Sequence, residues 1–243
     1  MFLLILCSTK LFANGDVNLH ADWDFILKKY VHEGKVDYNQ IITTPADLKR
    51  LNDYLTTLKN TDVSLLSRDE RLAFWINSYN AFTVKLILNH YPLKSIKDIK
   101  DPWKQKLWYA ANERMSLDDI EHIKLRKELR EPRIHFAIVC ASIGCPALYP
   151  EAFEKDIIEQ MLNLVTRNFF LERRNFHLET SEKISTIYLN RIFKWFKSDF
   201  GKDDKQIVKF ILLYLKKQDR DIINASDALK IKYLPYDWSL NDK

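Results

Sequence analysis

Residues 67–92 read SRDERLAFWINSYNAFTVKLILNHYP. Ser67 followed three residues later by Glu70 forms a capping box, which starts a helix, and Pro92 stops it near His90. From Leu72 to Leu88 the apolar residues run nearly all round the helix instead of along one stripe, so it is predicted to sit at the centre of a core. Asn77 and Asn80 share a face inside it. A buried amide without partners costs roughly 1–3 kcal/mol. These two therefore brace neighbouring loops or line a site.

Helical periodicity continues on either side. Residues 22–30 place Trp23, Ile26, Leu27 and Tyr30 on one face, and Pro45 opens a helix that carries Leu48, Leu51, Tyr54, Leu55 and Leu58. Residues 107–115 read as a short hairpin around Asn112 and Glu113. Ser116 then caps a helix with Asp118 and Asp119 in its first turn. Residues 133–139 are predicted to be a strand and 141–148 a tight loop, and Pro150 is predicted to open a long helix through Phe170. Residues 176–179 and 184–189 form a second hairpin, and helices 191–200 and 206–217 are split at Gly201. The aromatic tail from Tyr233 to Trp238 docks on the body. With no repeat and no linker, the expectation is a single α+β domain, residues 14–243, helix-rich around a small, mostly antiparallel sheet.

The chain has 243 residues, enough for a sizeable core, and 47% are apolar, which excludes a disordered chain. Only 4 residues are Gly, so there is no Gly-rich phosphate loop. The net charge of +5 comes from 38 basic and 33 acidic residues, with no basic stretch interleaved with aromatics, so no nucleic-acid partner is expected. The expected ligand is an unknown small molecule or peptide. The apolar run from Phe2 to Leu6, then Leu11, Phe12 and Ala13, resembles the end of a secretory signal cleaved after Ala13, although no Lys or Arg precedes it. It is too short to span a membrane. The expectation is a periplasmic or secreted protein that loses Cys7 and keeps Cys140 and Cys145.

Several motifs occur together: Phe74-Trp75-Ile76-Asn77-Ser78-Tyr79-Asn80-Ala81; Ser116-Leu117-Asp118-Asp119-Ile120-Glu121-His122; Arg133-Ile134-His135-Phe136-Ala137 leading into Cys140-Ala141-Ser142-Ile143-Gly144-Cys145-Pro146; Trp195 with Asp199-Phe200; and Tyr236-Asp237-Trp238-Ser239-Leu240-Asn241. In these the chain resembles the "domain of unknown function 547" family, from Trp23 to Asn241. The resemblance implies one domain and, for bacterial members, export. It implies no reaction.

The chemistry is argued from residue types. Cysteine is the natural nucleophile. On a strand, His135 and Cys140 would point to opposite faces about 16 Å apart, at roughly 3.3 Å per residue, so Cys145, in the loop after Gly144, is the better candidate. Its base would be His122 or His135, with Asn77 or Asn80 to orient it, an arrangement that suits a thiol-dependent hydrolase or acyl transferase. Other readings stand beside this one: a static Cys140–Cys145 disulfide in a non-enzymatic binding domain, a redox-active dithiol, and a zinc site formed with His122 and His135. No cofactor or metal is assigned. Glu121 reads as a helix salt bridge and Arg126 as part of a solvated helix end. Trp195, Asp199, Tyr236 and Trp238 read as core and docking residues.

Overall fold

The computed structural model describes residues 18–243. The expected signal segment, residues 1–13, and Cys7 lie outside the described residues. The central element is the helix Arg68–His90, closed at its start by the reciprocal Ser67–Glu70 capping box. Phe74, Ile76, Phe82, Leu86 and Ile87 are fully enclosed, and each side chain contributes about 1.5–3 kcal/mol by leaving water. The helices Ala21–Tyr30 and Pro45–Asn60 pack together on one flank, and the helix Asp119–Leu129 packs against the central helix. No helix among the described residues is long and apolar enough to cross a membrane.

Sheet content is small. Trp108–Ala110 pairs with Glu113–Met115, the hairpin expected around Asn112. Phe176–Ser181 pairs antiparallel with Ile184–Leu189, which pairs in parallel with Ala228–Tyr233. The architecture is the expected helix-rich α+β. The last strand and the preceding helix Lys217–Ala225 carry little sequence signal, because residues 228–233 expose most of their side chains and the helix buries only Ile223.

Two expectations are corrected. Residues 133–139 are not a strand: Pro132–Phe136 is a turn of 3-10 helix, opened by the Glu131 carboxylate accepting the Arg133 N–H. The N–H groups of Ala137 and Ile138 both return to the Ile134 carbonyl. Ile134, His135 and Phe136 are all buried, and a short apolar run enclosed on every side has no period to separate helix from strand. The second correction is that the long helix begins at Ile158, not Pro150. Upstream, the Ala152 N–H is taken by Asp24 and the Phe153 N–H by Asn77, so neither feeds a helix.

Asn77 and Asn80 are buried and hydrogen-bonded, and both brace the chain. Asn80 donates to the Ala137 carbonyl and accepts from the Val139 N–H, each at 2.9 Å. Asn77 does the same for Phe153, at 2.9 and 3.0 Å. One helix face thus pins both ends of the segment that carries Cys140 and Cys145. Asn80→Ala orphans one buried carbonyl and one buried N–H. The expected loss is about 2–4 kcal/mol in urea unfolding; a loss under about 0.5 kcal/mol, typical of a surface site, would show that the brace is unimportant.

Candidate functional site

After Val139 the chain reverses at Ala141, whose φ of 58° lies in the left-handed region, and closes with the Cys145 N–H on the Ser142 carbonyl at 3.0 Å. This turn brings the Cys140 N–H to 3.0 Å from the Cys145 sulfur. The C-terminal tail then lies antiparallel along the loop. Ile143 N–H donates to Ser239, Gly144 N–H to Asp237, and Asn241 N–H to Ala141, at 2.8, 2.8 and 3.1 Å. The approach at Gly144 leaves no room for a side chain, since a Cβ there would lie 2.9 Å from the Asp237 backbone. The tail delivers the Tyr236 hydroxyl to 3.1 Å from Cys145 Sγ and 3.3 Å from Cys140 Sγ.

Both cysteines are free thiols, so the disulfide reading is not realised in this structure. Cys145 is 4% exposed, yet it lines a pocket of about 210 Å³. Burial pushes its thiol up, but hydrogen bonds from Cys140, Tyr236, the Cys140 N–H and Ser142 outweigh burial and bring it down to about 6. Cys140 moves well upward, first through its hydrogen bond to Cys145 and then through burial. Burial also raises Tyr236, so its hydroxyl keeps its proton and donates it.

The pocket's second wall comes from the helix Asp119–Leu129, which is wound as a π-helix, an uncommon form often found at functional sites. Ser116 and Asp119 cap it reciprocally. Glu121 is not the helix salt bridge expected. It is buried, its Oε2 accepts from Tyr79 at 3.4 Å, and its Oε1 lies 3.9 Å from His135 Nδ1. Burial lifts its carboxyl to about 8, against the pull of Arg126, so it is protonated at neutral pH. Arg126 is not solvated either. It clamps Asp199 through two hydrogen bonds of 2.6 and 2.9 Å and donates to His122 Nδ1 at 2.9 Å.

His135 lies beneath this wall, buried against Phe196, with Nε2 on Asp199 at 2.7 Å. Burial lowers its basicity, and Asp199 partly restores it. Burial lowers His122 as well. The structure therefore brings Cys140, Cys145, Glu121, His122 and His135 to one pocket. The 16 Å separation of His135 from Cys140, roughly estimated for an extended chain, falls with the strand. The sulfurs find their hydrogen-bond partners in Tyr236, Ser142 and the Cys140 N–H. The partners of His135 are carboxylates, not the amides of Asn77 and Asn80. Among the described residues no group of three or more His, Cys, Asp or Glu is placed to hold a metal ion.

Asp199 and Tyr236, read from sequence as core and docking residues, contact the site directly. Their presence in the quoted motifs was the one signal available. With Trp103, Trp195 and Trp238 around its mouth, the pocket pairs an apolar rim with a polar floor.

Comparison with known families agrees with the motifs between residues 63 and 170 and does not reach those at 195–200 and 236–241. The family described as "Protein of unknown function, DUF547" matches residues 63–170. This segment, less than half of the chain, is similar to that family. It contains the central helix, the Glu121 helix and both cysteines, whereas Asp199 and Tyr236 come from outside it. No curated protein and no solved structure matches the chain.

The Glu121 carboxyl makes a stability prediction. Between its ordinary value of 4.5 and about 8, the folded protein holds a proton that the unfolded chain releases. This contribution to stability therefore falls as pH rises through that window. Glu121→Gln should flatten the decline in urea-unfolding free energy between pH 5 and pH 8, values chosen roughly to span the window. Parallel curves for the two proteins would show that Glu121 is ionised in the fold.

Proposed function

We propose that the protein is a cysteine-nucleophile enzyme of acyl transfer, a hydrolase or transferase for small acyl substrates. The observation that carries this reading is the convergence of the Tyr236 hydroxyl and the Cys140 N–H on Cys145 Sγ. These donors favour the ionised sulfur, so the nucleophile is formed in advance and needs no histidine touching it. Cys145 attacks the acyl carbon, and the bond to the leaving group breaks as Glu121 gives that group its proton. Water then attacks the thioester, Glu121 takes back a proton, and the thiolate is released with the acid. His135, linked to Asp199 and adjacent to Glu121, is a positioning residue. A pocket of about 210 Å³ with an aromatic rim suits a small substrate with an apolar or planar acyl group.

A binding domain is the competing reading, and the near-complete burial of Cys145 favours it. A place in the cell envelope belongs to the proposal and rests on residues 1–13 alone; a native cytoplasmic protein with an intact N-terminus would remove it.

Mass spectrometry after exposure to a panel of small p-nitrophenyl esters and thioesters tests the reaction. An acyl adduct should form on Cys145 and be absent in Cys145→Ser. The rate should rise with pH as Cys145 ionises near about 6 and fall as Glu121 loses its proton near about 8. Glu121→Gln should lose the alkaline fall and slow turnover by about 10²-fold or more. No adduct with any ester would leave the binding domain as the account.

A further inference from the structure

The Cys140 sulfur makes no bond in the acyl chemistry, yet it is built into the same turn. The left-handed Ala141 and the Cys145 N–H bond to Ser142 close the loop so that both sulfurs contact one Tyr236 hydroxyl, at 3.3 and 3.1 Å. Cys140's own N–H is 3.0 Å from the Cys145 sulfur. Cys145 lines the pocket, so an incoming molecule meets it there, and Cys140 lines the same wall.

We infer that Cys140 is the resolving thiol for Cys145, and that the pair reduces small organic disulfides by two successive exchanges. This rests on Cys145 being the nucleophile of the proposed function and adds a second class of substrate. In the first exchange the Cys145 thiolate attacks one sulfur of RSSR. A Cys145–S–S–R bond forms, and the S–S bond of the substrate breaks with release of RS⁻. In the second, Cys140 gives its proton to the released thiolate, and its sulfur attacks Cys145 Sγ, expelling the second RS⁻. The protein loses two electrons and one proton, and RSSR becomes RSH and RS⁻.

The order follows from electrostatics. In the resting pair the charge sits on Cys145, and the hydrogen bond that Cys140 makes to it is the largest influence holding the Cys140 proton. Once Cys145 is in a mixed disulfide its charge is gone and that hold is released, so Cys140 becomes reactive only when there is a bond for it to resolve. Closing the Cys140–Cys145 bond also removes both sulfurs as partners of the Tyr236 hydroxyl. That ring packs 4.8 Å from Trp195 and 4.5 Å from Trp238, so oxidation should change tryptophan fluorescence.

The test uses the full chain carrying Cys7→Ser, so that Cys140 and Cys145 are its only thiols. The reduced protein is mixed with hydroxyethyl disulfide, quenched in acid and weighed intact over time. The parent protein should pass through a transient adduct to a product two hydrogens lighter, with the fluorescence change following that product. Cys140→Ser, or Cys140→Ala if the serine variant does not fold, should stop at one adduct mapped to Cys145. Cys145→Ser should react about tenfold slower or less readily still. A stable adduct in the parent protein, an adduct mapped to Cys140, or no reaction in the folded protein would each overturn the inference. If Cys145 still takes an acyl group from an ester while its mixed disulfide is never resolved, the resolving role fails and the nucleophile reading stands. If neither adduct forms, both fail.

Discussion

The antiparallel contact between residues 237–241 and residues 141–144 is the constraint on which the site depends. It joins parts of the chain almost a hundred residues apart, and it requires a glycine at 144, where the Asp237 backbone comes within 2.9 Å of a Cβ position. Without it Tyr236 is an aromatic residue in a C-terminal tail. With it, the Tyr236 hydroxyl is held against two sulfurs, and a buried thiol that desolvation would keep protonated has a donor for its ionised form. The Asn77 and Asn80 braces act at the next level, fixing both ends of the cysteine segment to the central helix. The geometry of the site thus rests on backbone contacts, while the reactive atoms are few.

The pocket separates charge by environment. Cys145 is buried but surrounded by donors, so its anion is favoured. Glu121 is buried with a long contact to Tyr79 and no cation in contact with it, so its neutral acid is favoured. Asp199, partly buried and clamped by Arg126 and His135, stays ionised. Two titratable groups pushed in opposite directions in one cavity are the pattern by which a fold runs acid and nucleophile chemistry side by side. The π-wound helix supports this arrangement: Ile120, Glu121 and Leu125 face inward, while Arg126, in contact with His122, clamps Asp199.

Much of the frame was legible in the sequence. The capping box at Ser67, the all-round apolar pattern of the central helix and the burial of Asn77 and Asn80 follow from local signals, because a helix with no polar face has one place to go. The site was half legible. Cysteine in a loop beside Gly144 marks a nucleophile by residue type, but its partners come from tertiary contacts that periodicity does not encode. Residues 133–139 looked like a strand because enclosed apolar runs carry no period. That reading placed His135 far from Cys140 when the two line one pocket. Tyr236 and Asp199 read as packing residues because an aromatic in a tail and an acid on a helix ordinarily are; only the docking of the tail and the fold of residues 192–200 make them otherwise.

The central claim is that the Cys140 thiol, Tyr236 and the Cys140 N–H together hold Cys145 as a thiolate at neutral pH. The direct measurement is an ultraviolet titration of the thiolate in the reduced, folded protein, with Cys145→Ser as the blank. The account predicts one thiolate appearing with a midpoint near about 6, and a clearly higher midpoint in Tyr236→Phe. A midpoint at or above the ordinary thiol value of about 8.5, unchanged by Tyr236→Phe, would contradict it.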